Sequence, residues 1–405
     1  MNRRRTATVS VLLGLSLTLA FQGLGAASAV PVPAAPVVGG LSAGIAAEAG
    51  IELPRPAGRH PVGTQTLHLT DHRRSDPWMP SAARELMVSV HYPAQAGRGR
   101  SAAYMTEEEA RLLLESRGLD GVVPATALSG TRTHARVNAR PAGGHFPLVV
   151  LSPGFSVSRS SLTALAEDLA SRGYVVAAVD HAYESVGTAF PGGRVLTCLA
   201  CDHVATREER ARVALGRAQD LSFVIDRLTS PRTPPRTTQG HRSLPYALVI
   251  DSKRIGAAGH SIGGASAATL MAQDRRVRAG VNLDGDFFAR LPETGLDARP
   301  FMMMGSAADH SPGVVESDWQ EAWDRLDGWK RWLTVSGAEH FSFTDLLVLA
   351  DQLGLADPAA PLSAERAWQH TRDYTAAFFD MHLRGMSRPL LNGPVADRPE
   401  VEFQP

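Results

Sequence analysis

The feature that most constrains this chain is the hexapeptide Gly259-His260-Ser261-Ile262-Gly263-Gly264. Its setting matters more than its letters. Arg254 to Ala258 has strand character immediately before it, and Ala265 to Gln273 reads as a helix immediately after. A Gly-x-Ser-x-Gly turn between a strand and a helix puts the serine on a strained bend, while the glycines let the two backbones approach. Ser261 Oγ would then stand at the C-terminal edge of a parallel sheet, with a helix N-terminus behind it that favours developing negative charge. The pattern alone is weak, because glycine fills 37 of the 405 positions. A second copy, Gly40-Leu41-Ser42-Ala43-Gly44, lies in a Pro- and Ala-rich stretch with no strand before it and is assigned to chance.

The rest of the chain alternates strand and helix. Strand patterns occur at 85–92, 148–151, 174–179, 277–283, 300–304 and 331–335. Between them, Glu107 to Leu114 has helical character. Leu162, Leu165 and Leu169 recur at helical spacing before a stop at Gly173, and Arg207 to Leu228 places Leu221, Val224 and Leu228 on one face. A closing helix is expected over 364–383. This alternation predicts an α/β protein, a mostly parallel central sheet with helices on both faces.

Composition excludes several classes. Hydrophobic residues make up 44% and charged residues 20%, enough for a large buried core. Lys plus Arg and Asp plus Glu each number 41, so no broad basic face for nucleic acid is expected. Arg3-Arg4-Arg5, an apolar run from Val9 to Ala20 and Ala27-Ser28-Ala29 form the pattern of a signal peptide cut after Ala29. The apolar run is short for a membrane span. The expected organisation is therefore a signal peptide at 1–29, a Pro/Ala/Gly-rich lead-in at 30–65 and a catalytic domain at 66–405. The product would be a secreted protein with no transmembrane span after cleavage. Either the general or the twin-arginine export route fits.

A nucleophilic serine needs a base, and the base needs an orienting carboxylate. His340 follows the strand that ends at Val335, which puts it on a loop at the same sheet edge as Ser261; His310 is its main rival. His370 and His382 fall on the closing helix. The acid is open between Asp284, which ends the strand 277–283, and Asp309, which lies past the next strand. Two backbone N–H groups must also face the tetrahedral oxygen. Ile262 should supply one, and Phe155 the other, from the loop Ser152-Pro153-Gly154-Phe155-Ser156 after the strand 148–151.

In these residues the chain resembles the platelet-activating-factor acetylhydrolase family, in its plasma and intracellular type II branch and bacterial relatives. The marks are Ser152-Pro153-Gly154-Phe155, Gly259-His260-Ser261-Ile262-Gly263-Gly264, Leu283-Asp284, and His340 followed by Phe343-Thr344-Asp345. The resemblance spans about 66–383. It implies an α/β-hydrolase fold, calcium-independent lipase or esterase activity on short or oxidised phospholipid acyl chains, and an acid at Asp284. Gly285-Asp286-Phe287-Phe288 is more polar than that family's pattern just after the acid.

Cys198 and Cys201 are expected to form a local disulfide in an exported chain. His203 lacks the neighbours a zinc site requires, and no metal or cofactor is implied. Trp319, Trp323, Trp329 and Trp332 could wall an acyl pocket or touch a lipid surface transiently, or simply pack a helix on the sheet. The function expected is a Ser-His-Asp esterase acting on a small-molecule or lipid ester. A cutinase-like or polyester-cleaving carboxylesterase is the alternative, and a non-catalytic binding protein of the same fold is the alternative of another class.

Overall fold

The structure is a computed structural model that describes residues 50–97, 99–230 and 248–405. The expected signal peptide, the lead-in through residue 49 and the Gly40–Gly44 copy lie outside the described residues. Thirteen strands are described: β1 (Val62–Ser75), β2 (Ala83–Pro93), β3 (Ser101–Ala103), β4 (Arg132–Val137), β5 (Phe146–Ser152), β6 (Val175–His181), β7 (Thr188–Ala189), β8 (Val195–Leu196), β9 (Ile250–His260), β10 (Val277–Leu283), β11 (Phe301–Ser306), β12 (Lys330–Val335) and β13 (Val401–Phe403). The helices are α1 (Glu107–Ser116), α2 (Ala125–Ser129), α3 (Thr163–Arg172), α4 (Arg207–Thr229), α5 (Ile262–Gln273), α6 (Ala307–His310), α7 (Trp319–Arg325), α8 (Asp345–Gln352) and α9 (Ala364–Arg384).

Eleven strands form one sheet in the order β13-β12-β11-β10-β9-β5-β6-β2-β1-β4-β3. The run from β12 through β6 is parallel, and β2 joins β6 antiparallel. Helices cover both faces. Leu148 and Val150 of β5 pack with Leu221 and Val224 of α4, whereas Val149 and Leu151 pack with Leu165 of α3 and Phe378 of α9. Strands buried on both faces read as continuous apolar runs, which is why the central ones were legible. Each fully buried Leu or Val contributes about 1.5–3 kcal/mol of transfer free energy.

The expected α/β-hydrolase architecture is the one observed. α3 stops at Gly173, whose φ of 106° closes the helix in the left-handed region. β1 was not expected: its alternation of Leu67 and Leu69 with His68 and Thr70 is interrupted by polar residues on either side. It begins at Val62, and Ile51 and Leu53 before it are already buried. α5 begins at Ile262 rather than Ala265, because Gly263 and Gly264 form its first turn. Among the described residues no helix is long and apolar enough to cross a membrane.

The parallel strands β9, β10 and β12 all end on one edge, and the segments that follow carry Ser261, Asp284 and His340. The segment after His340 is anchored from below. The buried Asp345 carboxylate accepts the Ala164 N–H at 3.1 Å, which ties it to the first turn of α3.

Candidate active site

Ser261 lies between β9 and α5 at φ 56° and ψ −127°, a conformation that costs a non-glycine residue of order 1–3 kcal/mol. Hydrogen bonds impose it. Ser261 N–H donates to Leu283 O at 2.8 Å, and Ser261 O accepts from Gly264 N–H at 2.8 Å. The first turn of α5 presses onto the loop after β5. A Cβ on Gly263 would lie 2.0 Å from Ser152 O and 2.6 Å from Pro153 O, so only glycine permits this approach.

Asp284 also bends at positive φ, 56°, immediately after β10. Its Oδ1 accepts Ser306 N–H at 2.6 Å, and its Oδ2 accepts His340 Nδ1–H at 2.7 Å. Burial pushes the Asp284 carboxyl up, but the His340 hydrogen bond and the His310 and His340 charges outweigh it and hold the group down at about 2. His340 is raised above its ordinary value: burial opposes this, and the hydrogen bond and charge of Asp284 prevail, helped by Asp309 and Asp286. The His340 side chain remains 43% exposed, so the ring stands at an open mouth. Two cavities of about 330 and 600 Å³ lie elsewhere, and neither is lined by Ser261, Asp284 or His340.

The other candidates fall into place around this pair. Asp309, the alternative acid, accepts Ser306 Oγ–H at 2.8 Å and makes no hydrogen bond to His340. His310, the rival base, is buried and stacked on Trp319, ring centroids 4.2 Å apart, with Nε2 3.6 Å from Asp284 Oδ1. Trp319 donates Nε1–H to Gly285 O and Trp332 donates Nε1–H to His310 O, each at 2.8 Å. Both indoles are buried beneath the acid loop, so packing accounts for them. Cys198 and Cys201 are disulfide-bonded.

His260 was not singled out from sequence. Its Nε2–H donates to His340 O at 2.7 Å and the two rings lie 4.6 Å apart. Burial, then the neighbouring His340, hold it down at about 3, so it is neutral at physiological pH. His260 thereby ties the end of β9 to the His340 loop.

The amides of Ile262 and Phe155 have no hydrogen-bond acceptor among the described residues. Beside them Phe155, Ile262, Ala265, Val213, Trp78, Val204 and Phe288 form a separate apolar cluster in which Trp78, Phe155, Val204 and Phe288 are only half-buried.

A second Ser-His-Asp chain was also missed. Ser152 Oγ lies 3.0 Å from His181 Nε2, and His181 Nδ1–H donates to Asp220 Oδ2 at 2.8 Å. All three residues are buried, Ser152 and Asp220 at 0% exposure and His181 at 2%.

The fold agrees with the comparisons to known proteins. The family model described as platelet-activating factor acetylhydrolase, isoform II, matches residues 45–192. A probable 1-alkyl-2-acetylglycerophosphocholine esterase of Arthroderma benhamiae is 26% identical, over 87% of this chain and 93% of its own length. A platelet-activating factor acetylhydrolase of Cavia porcellus is 24% identical, over 64% of this chain and 63% of its own. The solved structure of a ferulic acid esterase from Streptomyces cinnamoneus is 46% identical, with TM-score 0.77, over 88% of this chain and all of that one.

The chain belongs to the esterases of the α/β-hydrolase fold, with an acetylhydrolase-family match over its N-terminal part.

Like these relatives, it is an esterase. The acetylhydrolase family model ends at residue 192, so it takes in the Ser152–Ser156 loop and stops before Ser261. For the C-terminal half of this esterase, the roles of individual side chains therefore rest on geometry.

Proposed function

We propose that the protein is an exported serine carboxylesterase in which Ser261 is the nucleophile, His340 the general base and Asp284 its orienting carboxylate. The observation that carries the reading is the 2.7 Å His340–Asp284 hydrogen bond, made by a half-exposed imidazole on the sheet edge where Ser261 is strained outward. With its Nδ1 proton committed to Asp284, neutral His340 has an unprotonated Nε2 to accept the Ser261 hydroxyl proton. Ser261 Oγ attacks the ester carbonyl, and the oxyanion is met by the N–H groups of Ile262 and Phe155. His340 returns the proton to the departing alcohol. Water, deprotonated by the same imidazole, then releases the acyl group.

The buried Ser152–His181–Asp220 chain has the same atom types but no path for a substrate carbonyl to Ser152. Burial, then the Arg217 charge, lower the His181 pKa, so His181 is a poor proton acceptor.

For the substrate, an ester with an aromatic acyl group of the ferulate kind is favoured by the half-buried Trp78, Phe155 and Phe288 beside Ile262, and by the 46% identical relative. A short acyl ester of a phospholipid is the second reading, favoured by the family match and the acetylhydrolase relatives.

The test is fluorophosphonate labelling of the mature protein with peptide mapping, followed by methyl ferulate, short-acyl phosphocholine and polyester substrates. Label on Ser261, retained in Ser152→Ala and abolished in Ser261→Ala with at least ~10³-fold loss of kcat, is the expected result. Label on Ser152, or full activity in Ser261→Ala, would overturn the reading. The kcat/KM ratio of ferulate to phospholipid decides the substrate class.

A further inference from the structure

Behind the loop Ser152–Ser156 lies a buried ionic network. Arg84 donates to Asp76, Glu184 and Asp220 at 2.7–2.8 Å, and Arg217 Nε–H donates to Glu184 Oε2 at 2.7 Å. Asp220 also receives His181, whose other nitrogen meets Ser152 Oγ. Arg84, Arg217, Asp76, Glu184 and Asp220 are all at most 3% exposed. An apolar cluster of equal volume would usually stabilise a fold at least as well as a buried network of charges. What distinguishes this network is where it ends.

It ends on the loop, at both sides of Phe155. On one side, Arg217 Nη1–H donates to Pro153 O at 2.6 Å and approaches Ser152 Oγ at 3.4 Å. On the other, Ser156 N–H donates to Glu184 O at 3.0 Å and Ser156 O accepts Val186 N–H at 3.0 Å. Ser156 is held at φ 65°, a left-handed conformation unusual for serine and sustained by this pair of bonds. Between the two anchors, a Cβ on Gly154 would lie 2.8 Å from His260 Nδ1, so the loop is also pressed against the end of β9. The intervening Phe155 N–H is left without an acceptor among the described residues.

We propose that Arg217 is a positioning residue for ester hydrolysis: through the Pro153 carbonyl and Glu184 it fixes the loop shape that aims the Phe155 N–H at the oxyanion. Its planar fork satisfies Pro153 and Glu184 together, which a lysine ammonium cannot do in one geometry. The inference rests on the assignment of Ser261 and the Phe155 N–H made above. Because the oxyanion exists only after attack, misaiming the N–H lowers kcat and leaves ground-state binding nearly unchanged.

The experiment uses the full mature enzyme with Arg217→Lys and with the charge-balanced double variant Arg217→Met/Glu184→Gln, which strands no buried ion. Turnover of p-nitrophenyl acetate is normalised to active sites titrated with the fluorophosphonate, so unfolded molecules do not count. A trifluoromethyl ketone, which forms a tetrahedral adduct with the serine, reports on the oxyanion site. The expected result is a kcat loss of ~10–100-fold with KM changed less than about threefold. Affinity for the ketone should fall by the same factor, and Arg217→Lys should recover part of both. Turnover per titrated site within about threefold of wild type in the double variant, or a rise in KM equal to the fall in kcat/KM, would overturn the proposal. If the wild type itself is not labelled at Ser261, the reading of the nucleophile fails instead, and the two failures are distinct.

Discussion

Replacing Gly263 by alanine sets two effects of known size against each other. Gly263 is in the first turn of α5, and alanine is better than glycine in a helix by roughly 0.5–1 kcal/mol. If the helix were free of neighbours, Gly263→Ala would stabilise the protein. The new methyl, however, would lie 2.0 Å from Ser152 O and 2.6 Å from Pro153 O, where ordinary contact begins at 3.4 Å. The difference, 3.4 − 2.0, requires 1.4 Å of separation between two backbones, one of which is the strained Ser261 turn. Overpacking of this kind costs typically ~1–3 kcal/mol, so the clash wins and the Tm falls by a few degrees. The activity should suffer more. The displaced segment carries the Phe155 N–H, and a misplacement of about 1 Å can cost ~10²-fold, close to 2.7 kcal/mol of barrier. Differential scanning calorimetry and steady-state hydrolysis of a p-nitrophenyl ester read both quantities. A Gly263→Ala enzyme that is more stable and equally active would refute the claim that this approach of helix to loop shapes the site.

Asp284→Asn should lower kcat by ~10⁴-fold, because an amide can turn its NH₂ toward His340 and reverse the tautomer, whereas Asp309→Asn should cost less than tenfold; equal losses would sink the choice of acid. His340 is raised above its ordinary value, so the acid limb of the kcat/KM profile should have an apparent pKa above 6.5 that moves down in Asp284→Asn. The Asp284 carboxyl is depressed to about 2, so the stability it contributes is present above about pH 4 and is lost as pH falls through 2; acid unfolding of Asp284→Asn should lack that step. Asp286 is raised to about 6, first by burial and then by Asp318, so its ionisation weakens the fold as pH climbs from about 4 to 6. Asp286→Asn should therefore stabilise at pH 8 by ~1 kcal/mol after allowance for solvent screening, and no gain in Tm there would contradict the assignment. The Cys198–Cys201 disulfide closes a very short loop, worth about 2 kcal/mol in the chain-entropy picture. Reduction should lower stability by no more than that, with Val204 shifting against Ile262 and KM rising, as thermal melts and kinetics with and without reductant would show.

Much of the site was legible because its signals are local. A strand, Gly-His-Ser-Ile-Gly-Gly and a helix within about twenty consecutive residues carry their own periodicity and turn chemistry, and they place Ser261 without knowledge of any other segment. Chain order and a loop after a strand do the same for His340. The strands β5, β6, β10 and β11 were readable because burial on both faces leaves a continuous apolar run. The edge strands β3 and β13, and β1 near one end of the sheet with its polar-interrupted alternation, carry no such run.

What only the tertiary structure decided are the pairings between distant segments. From the residues alone Asp284 and Asp309 stood level. The resemblance favoured Asp284, and the fold shows His340 Nδ1 bonded to its carboxylate, with Asp309 turned to Ser306. Trp319 and Trp332 read equally as pocket wall or packing until their N–H groups were found on Gly285 O and His310 O. The network of Arg84, Arg217, Glu184 and Asp220 left no trace in the sequence, since its members lie on three separated segments and each looks like an ordinary surface charge. A charge is buried only when another segment brings its counter-charge, and the sheet order that does so is a property of the whole chain.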